Sequence, residues 1–373
     1  MTFPFSEKEN VSPRWDVRLP VFFVLVFLLL ASAGHAQENS KASTTTFSGL
    51  IDLNFAWNQN RPTNHQNFYP GAGTSAKRAN EFSLNLAQVQ WTRPVSAQQP
   101  VGFTVGLIAG EGADVVHGGE PEGVGKFRHV YQASVAYRLP GGIVLEGGIY
   151  PSHIGLEGFY SKDNWNYTRS IMGESSPYYQ AGIKASCAFD AHWSGRVDLL
   201  NGWQLIDDNN DGKAIGSQIA YNSDALTASL NTFLGPELAD DDDSLRKFVD
   251  VVVLYKVTPR LQLGGTADFG AQEIPNTDDV RWNGEALYLR YAVNGRNAIA
   301  ARLERFSDPD NGITGTAQRL REATLTYELR PRDNVILKLE GRYDKSDADV
   351  FSKRDTTTVD HQLLALAGVV VTF

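Results

Sequence analysis

One short pattern recurs along most of the chain: about ten residues alternating apolar and polar, closed off by turn residues. Sixteen such segments begin near residues 47, 81, 101, 128, 142, 177, 192, 213, 225, 246, 260, 281, 297, 319, 334 and 360, and the sequence ends on the last. A period of two sends successive side chains to opposite faces of a strand. Beyond residue 36 there is no helical periodicity and no second long apolar run, so the chain reads as all-β.

The links between segments separate a soluble β-sandwich from a closed barrel. Every second link is brief, with the tight-turn compositions "LPGG", "DAH", "NSD", "TPR", "NGR" and "PRD". The intervening links 58–80, 111–127, 153–176, 203–212, 236–245, 272–280, 307–318 and 344–359 are longer and more polar. Strict alternation of short and long links is expected of a transmembrane antiparallel β-barrel of about 16 strands, with short periplasmic turns, long external loops and both termini inside. A sandwich has no reason to segregate its loops in this way.

The two faces of the strands give a second test. One set ends repeatedly on an aromatic, Trp91, Tyr137, Tyr221, Tyr255, Tyr291 and Phe373, as a girdle at the periplasmic interface requires. Between the aromatics this set is bland, as in Val249, Val251 and Val253, or Leu363, Ala365, Ala367, Val369 and Val371. The opposite set carries Arg196, Asp198, Arg290, Arg302, Glu304, Lys338, Glu340 and Arg342. A charge facing lipid at mid-depth costs about 2–4 kcal/mol, so these side chains are expected to line a wet lumen. A barrel of this size leaves an aqueous channel, and its closure satisfies every backbone group.

The first 36 residues read as a secretory leader: Arg14 and Arg18, the apolar run "VFFVLVFLLL", then small residues ending at Ala36. The expected division is a leader, 1–36, cleaved after Ala36, and an outer-membrane barrel, 37–373, exported through the periplasm. No plug domain is expected ahead of the first strand, which disfavours ligand-gated import of large siderophores. Leader charges cancel, so the mature chain keeps the net −9, which excludes a nucleic-acid partner. Cys187 is the only cysteine and falls on the outward set with Ala181, Ile183 and Ala185, so it is expected to face lipid. The outward set has a charged exception in Arg305, near the external end of its strand, where the guanidinium can snorkel toward lipid phosphates.

"NGWQLIDDNNDGK", residues 201–213, resembles a calcium loop, with Asp207, Asn209, Asp211 and Gly212 in the first, third, fifth and sixth places. Its twelfth place holds Gln218 instead of Glu, and its flanks alternate with a period of two, so an external loop is expected, as at "ADDDDS", 239–244. No metal or other cofactor is expected. For catalysis, His65, His117, His129, His153, His192 and His361 stand outside any nucleophile-elbow context, and "GxSxG" and "HExxH" do not occur. The expectation is a non-enzyme.

The segments "GGIYPSHIGLEGFYSKDNWNYTRSIMGESSPYYQAGIKAS" and "LLNGWQLIDDNNDGKAIGSQIAY" resemble the OmpL-like β-barrel porins of Gram-negative outer membranes. The features are Gly155 and Glu157, then Asn166, Tyr167, Arg169 and Ser170, then Gly182, and finally Asn201, Gly202, Trp203 and Asn210. The resemblance implies passive diffusion of small hydrophilic solutes or ions through a water-filled channel. A structural or adhesive barrel without an open pore, and a barrel enzyme, are the alternatives. By analogy with sixteen-stranded general porins, link 153–176 after the fifth strand is expected to fold inward as the constriction. Glu157, Asp163 and Glu174 would stand against Lys162 and Arg169, stiffened by Tyr160, Trp165 and Tyr167. Arg169 is expected to face one of the three acids. Expected partners are outer-membrane lipid and lipopolysaccharide, the solutes, and the barrel-assembly machinery that would read the last strand, "HQLLALAGVVVTF"; a homotrimer is kept open.

Overall fold

The computed structural model describes residues 44–68 and 73–373, so the leader and its cleavage site lie outside the described residues. Sixteen strands form one closed barrel. They are β1 (Thr46–Asn58), β2 (Phe82–Arg93), β3 (Val101–Ala109), β4 (Val130–Arg138), β5 (Val144–Pro151), β6 (Tyr179–Ala188), β7 (Trp193–Leu200) and β8 (Ala214–Asn222). There follow β9 (Leu226–Pro236), β10 (Leu245–Lys256), β11 (Leu261–Gln272), β12 (Val280–Ala292), β13 (Asn297–Asp308), β14 (Gln318–Arg332), β15 (Val335–Ser346) and β18 (His361–Thr372). The short strands β16 (Phe351–Ser352) and β17 (Thr358–Val359) make a hairpin within the last long loop. Each barrel strand pairs antiparallel with its neighbours in the chain, and β1 closes on β18.

Every strand begins within two residues of its expected start, because lipid on one side and a largely polar interior on the other impose the period of two. The turns are built as their composition requires. At Leu139–Gly142, Gly141 and Gly142 have φ of +91° and +94°, values a side chain would strain, while Leu139 N donates to Ile143 O at 2.8 Å. In the next turn the Asp190 carboxylate accepts from both His192 N and Trp193 N at 2.7 Å. At the seam, Gly49 and Phe373 exchange backbone hydrogen bonds at 2.9 and 3.0 Å.

Trp91, Tyr137, Tyr255, Tyr291 and Phe373 lie exposed on the outer face at the short-turn end, where Phe47, Trp193 and Tyr327 are also exposed. Tyr221 is half-buried against Trp193, with ring centroids 5.1 Å apart. Cys187 faces outward but is covered, 8 % exposed. The outward charges are more numerous than the single exception expected at Arg305: Lys247, Glu285, Arg319, Arg321 and Lys345 are exposed on outward positions too.

A second difference concerns the interior. Phe233, Phe248, Trp282, Tyr288 and Phe306 point inward and are nearly or fully buried with Ile171, Met172 and Trp203. Phe351, in the last external loop, is likewise buried, its ring edge-on to Phe68 at 5.1 Å. Much of the lumen is therefore packed, because polypeptide has been folded into it.

Candidate functional site

The inserted polypeptide is the link between β5 and β6, residues 152–178. Its centre is held by wall side chains that match its backbone groups one by one. The Glu340 carboxylate on β15 accepts from Tyr167 N at 2.6 Å and Thr168 N at 3.0 Å. Glu304 on β13 accepts from Ile171 N and Met172 N, both at 2.7 Å, at the start of the short helix Ile171–Ser175, while Ser170 caps Gly173 N at 2.9 Å. Lys338 donates its ammonium protons to the carbonyls of Ser161, Asn164 and Asn166 at 2.8, 2.5 and 3.3 Å. Arg342 reaches the carbonyl of Arg169 at 2.6 Å. A loop with few backbone partners of its own thus has them supplied by charged groups, the strongest kind of hydrogen bond available to it.

Shape completes the anchorage. The Tyr167 ring covers Gly368 on β18, where a Cβ would collide with it, and its hydroxyl donates to Asp52 on β1 at 2.6 Å. Met172 packs on Gly284 of β12, Trp165 stands edge-on to Tyr288, and Gly155 N donates to Asp250 on β10 at 2.8 Å. On the other side Gln218 of β8 donates to the His153 carbonyl at 3.1 Å, the His153 ring meets the Thr232 carbonyl of β9 at 3.0 Å and Phe159 stacks on Tyr131 of β4 at 4.6 Å, so the loop is anchored around most of the wall. Link 58–80 folds in as well, since Glu174 accepts from Thr74 N at 2.7 Å.

The expected lumen residues separate into two groups. Arg302, Lys338 and Arg342 are each 1 % exposed, Asp198 is 1 % and Glu304 5 % exposed: they face inward but lie beneath protein, a correction to the expectation that they line water. Arg196 and Arg290 keep partial access, bound to Asp198 at 2.6 Å and Glu328 at 3.1 Å. The loop charges also differ from expectation. Arg169 is fully buried and donates to Gly158 O at 3.1 Å and Ser161 Oγ at 3.0 Å; among the described residues no carboxylate lies within ion-pair distance of it. Glu157 pairs instead with Arg302 at 2.7 Å and accepts from Ser170 N at 2.6 Å. The acids are taken by wall and neighbouring-loop donors closer than Arg169, whose fork fits the loop's own carbonyl and hydroxyl groups. Asp163 alone of the four is well exposed, paired with Lys162 at 2.7 Å.

The sequence profile of the family described as "Putative beta-barrel porin-2, OmpL-like" matches residues 44–373. The chain belongs to that family. This outer-membrane porin has no match among curated protein sequences. Its barrel is similar to solved structures, in each case at an identity that speaks for the fold alone. An anion-selective porin from Comamonas acidovorans superposes with a TM-score of 0.60 at 12 % identity, covering 89 % of this chain and 100 % of that one. The trimer form of OmpT, an outer membrane protein of Vibrio cholerae, gives 0.59 at 11 %, with coverage of 89 % and 100 %. Salmonella typhi OmpF in complex with daunomycin gives 0.56 at 12 %, with coverage of 89 % and 98 %.

The porin's wall over β2–β8 keeps partial exposure at several inward side chains toward the short-turn end. It presents Gln88, Gln90 and Thr92 linked in a hydrogen-bonded ladder of 2.8 and 2.9 Å. Two cation pairs follow: Lys184 bound to Glu146 at 2.9 Å, and Arg196 bound to Asp198, both cations lying over the Tyr150 ring. A recess of about 830 Å³ opens beside Arg138, Ser186 and Arg196. The acids Asp52, Asp250 and Asp268, which the sequence reading passed over, all lie on inward positions of otherwise apolar strands, a signal available in "IDLNFAW" and "FVDVVVLY". The calcium-like loop is tied by its own ion pairs, Asp207 to Lys126 at 2.7 Å and Asp208 to Lys213 at 2.6 Å.

Proposed function

We propose that the porin passes small hydrophilic solutes and ions along the β2–β8 side of its lumen, throttled by loop 152–178. The observation that carries this reading is the set of inward polar side chains toward the short-turn end of β2–β8 that keep partial exposure, Gln90, Thr92, Lys184 and Arg196 among them. In this reading Glu157, Arg169 and Glu174 shape the constriction from within, and Asp163 faces the water beside Tyr160 and Tyr131, where a recess of about 190 Å³ lies. The aromatic set of Trp91, Tyr137, Tyr221, Tyr255, Tyr291 and Phe373 serves as the lower membrane girdle.

Arg138, Lys184 and Arg196 outnumber Glu146 and Asp198 on the β2–β8 wall, which favours anions weakly; the Comamonas relative in fold is named as anion-selective. A homotrimer is the proposed assembly, on the precedent of the Vibrio OmpT trimer form. Cleavage after Ala36 and insertion by the barrel-assembly machinery complete the proposed route. A barrel enzyme is disfavoured because described histidines serve the scaffold: His117 meets Tyr179, His129 the Ile108 carbonyl, His153 Gln180 and Thr232, and His192 the Asn222 carbonyl.

Single-channel recording in planar bilayers tests the reading. Deleting residues 160–168 should raise conductance, and Lys184→Glu with Arg196→Glu should move the reversal potential toward cations. The packed core inside the barrel favours a second reading, a barrel closed at rest, and silence of the wild type with conduction only after the deletion would establish it instead.

A further inference from the structure

A recess of about 420 Å³ opens at the external mouth of the barrel, between link 58–80, the loop after β13 and the last long loop. Lys77, Gln66, Asn64, Ser352 and Phe68 line it. A frame of amides sets its walls. Gln66 bridges Arg78 antiparallel, with Asn67 N donating to Lys77 O and Ala79 N to His65 O, both at 2.8 Å. Asn58, at the end of β1, donates its amide to Asn67 Oδ1 at 2.9 Å and to Gln362 Oε1 on β18 at 3.3 Å, and Asn67 Nδ2 donates to Ala76 O at 2.7 Å. These amides satisfy one another and hold the recess in shape.

The groups that face into it are not satisfied. Lys77 is half-buried, yet among the described residues no carboxylate lies within ion-pair distance of its ammonium and no acceptor within hydrogen-bond distance. Burial draws that ammonium below the ordinary lysine range, against the pull of Glu174 and Glu111. Glu174 cannot move to it, being bound to Thr74 N at 2.7 Å and Thr74 Oγ1 at 3.2 Å. Asn64 Oδ1 accepts from Gln66 N at 3.1 Å, which leaves the Asn64 amide protons, the whole Gln66 amide and Ser352 Oγ without partners among the described residues. Phe68, edge-on to Phe351, adds apolar surface beside Ile313.

Each of these features narrows the ligand. One ammonium matches one carboxylate, whereas a phosphate is met best by an arginine fork, and no arginine lines the recess. An amide offers a donor and an acceptor together, the complement of neighbouring hydroxyls. A volume within the roughly 300–1,000 Å³ of small-molecule sites has room for a sugar ring. We propose that the recess binds a sugar acid, with its carboxylate on Lys77, its hydroxyls on Gln66, Asn64 and Ser352, and a ring face on Phe68. The site deepens the porin reading by naming a solute class for the external mouth, and rests on that reading for the ligand's onward passage.

Saturation-transfer NMR titration of the full detergent-solubilised barrel with D-glucuronate tests it, with D-glucose and acetate as the uncharged and the unhydroxylated comparisons. The wild type should bind glucuronate saturably and about tenfold more tightly than either. Lys77→Gln should abolish the advantage over glucose, and Gln66→Ala should weaken glucuronate about threefold. Lys213→Gln, an external lysine outside the recess and paired with Asp208, should bind as wild type. Heat-modifiable gel migration verifies assembly, and Gln66→Ala, whose amide holds nothing in the fold, carries the test should Lys77→Gln not assemble. Single-channel conductance measured in parallel keeps the two readings apart: a conducting barrel that does not bind glucuronate overturns this proposal alone, and a silent barrel that binds it supports the site while overturning the passage of solutes. Equal affinity of the wild type for glucuronate and glucose, or unchanged glucuronate binding in both recess variants, also overturns it.

Discussion

The carboxylate of Glu157, in the inserted loop, lies 2.7 Å from the guanidinium of Arg302 on the barrel wall, and both side chains are buried. Arg302 also holds Glu322 at 2.7 Å and the Thr168 carbonyl at 2.7 Å, so one cation joins wall to loop through three acceptors. Removing it leaves two carboxylates buried together, and breaking a buried pair in this way costs about 3–5 kcal/mol. Arg302→Ala is expected to unfold at a lower temperature in a heat-modifiability series and to conduct with larger, noisier currents. Unaltered currents would mean that the loop keeps its place without this contact.

Two glycines on adjacent strands provide a matched pair. Gly368 lies beneath the Tyr167 ring, whereas Gly341 opens to the outside. Gly368→Val should destabilise by about 1–3 kcal/mol through overpacking and should displace the loop. Gly341→Val should assemble as well as wild type. Parallel thermal gels of the two variants, with conductance for the first, check both outcomes.

Solvent access in the lumen should be graded. In a Cys187→Ser background, cysteine at Arg196 or Arg290 should react with a charged, membrane-impermeant thiol reagent. Cysteine at Arg342 should react slowly, and faster once residues 160–168 are removed. Cysteine at Val251 or Ala365 should stay unlabelled. Rapid labelling at Arg342 in the intact barrel would contradict the burial of that wall.

Glu237, in the external loop after β9, has its carboxyl pushed up to about 7, chiefly by burial, with Arg246 and the Trp203 N–H, 2.7 Å away, opposing the shift. The folded state therefore holds this proton more tightly than the unfolded state does, and its stabilising effect is complete below the ordinary carboxyl range and lost as pH rises through about 7. The apparent unfolding temperature of the barrel should fall as pH rises from 5 to 8. Glu237→Gln should flatten that dependence.

The barrel was legible because its pattern is local: each strand repeats the same alternation, and each turn carries its own Asp, Asn or Gly. The docking of the loop was not. Glu157 and Arg302 lie 145 positions apart, and no local rhythm says which of several acids an arginine will meet. Composition could not assign partners to the charges of loop 153–176, so Arg169 was expected opposite an acid and instead binds Gly158 and Ser161. One clue to the packed interior was present. The last strand, "HQLLALAGVVVTF", is apolar on both faces, and its inward Leu364, Leu366 and Val370 are buried, Leu366 in one cluster with Tyr167 and Ala76 of the inserted links. A strand with water on one side would have alternated.

The contact of Tyr167 with both Asp52 and Gly368 has a mechanical consequence. β1 and β18 meet along the only junction in the cylinder that no covalent turn ties together, so lateral unzipping would begin there. Tyr167 rivets that junction from within, its hydroxyl on the first strand and its ring on the last. The inserted segment thus also guards the cylinder against splitting open into the bilayer.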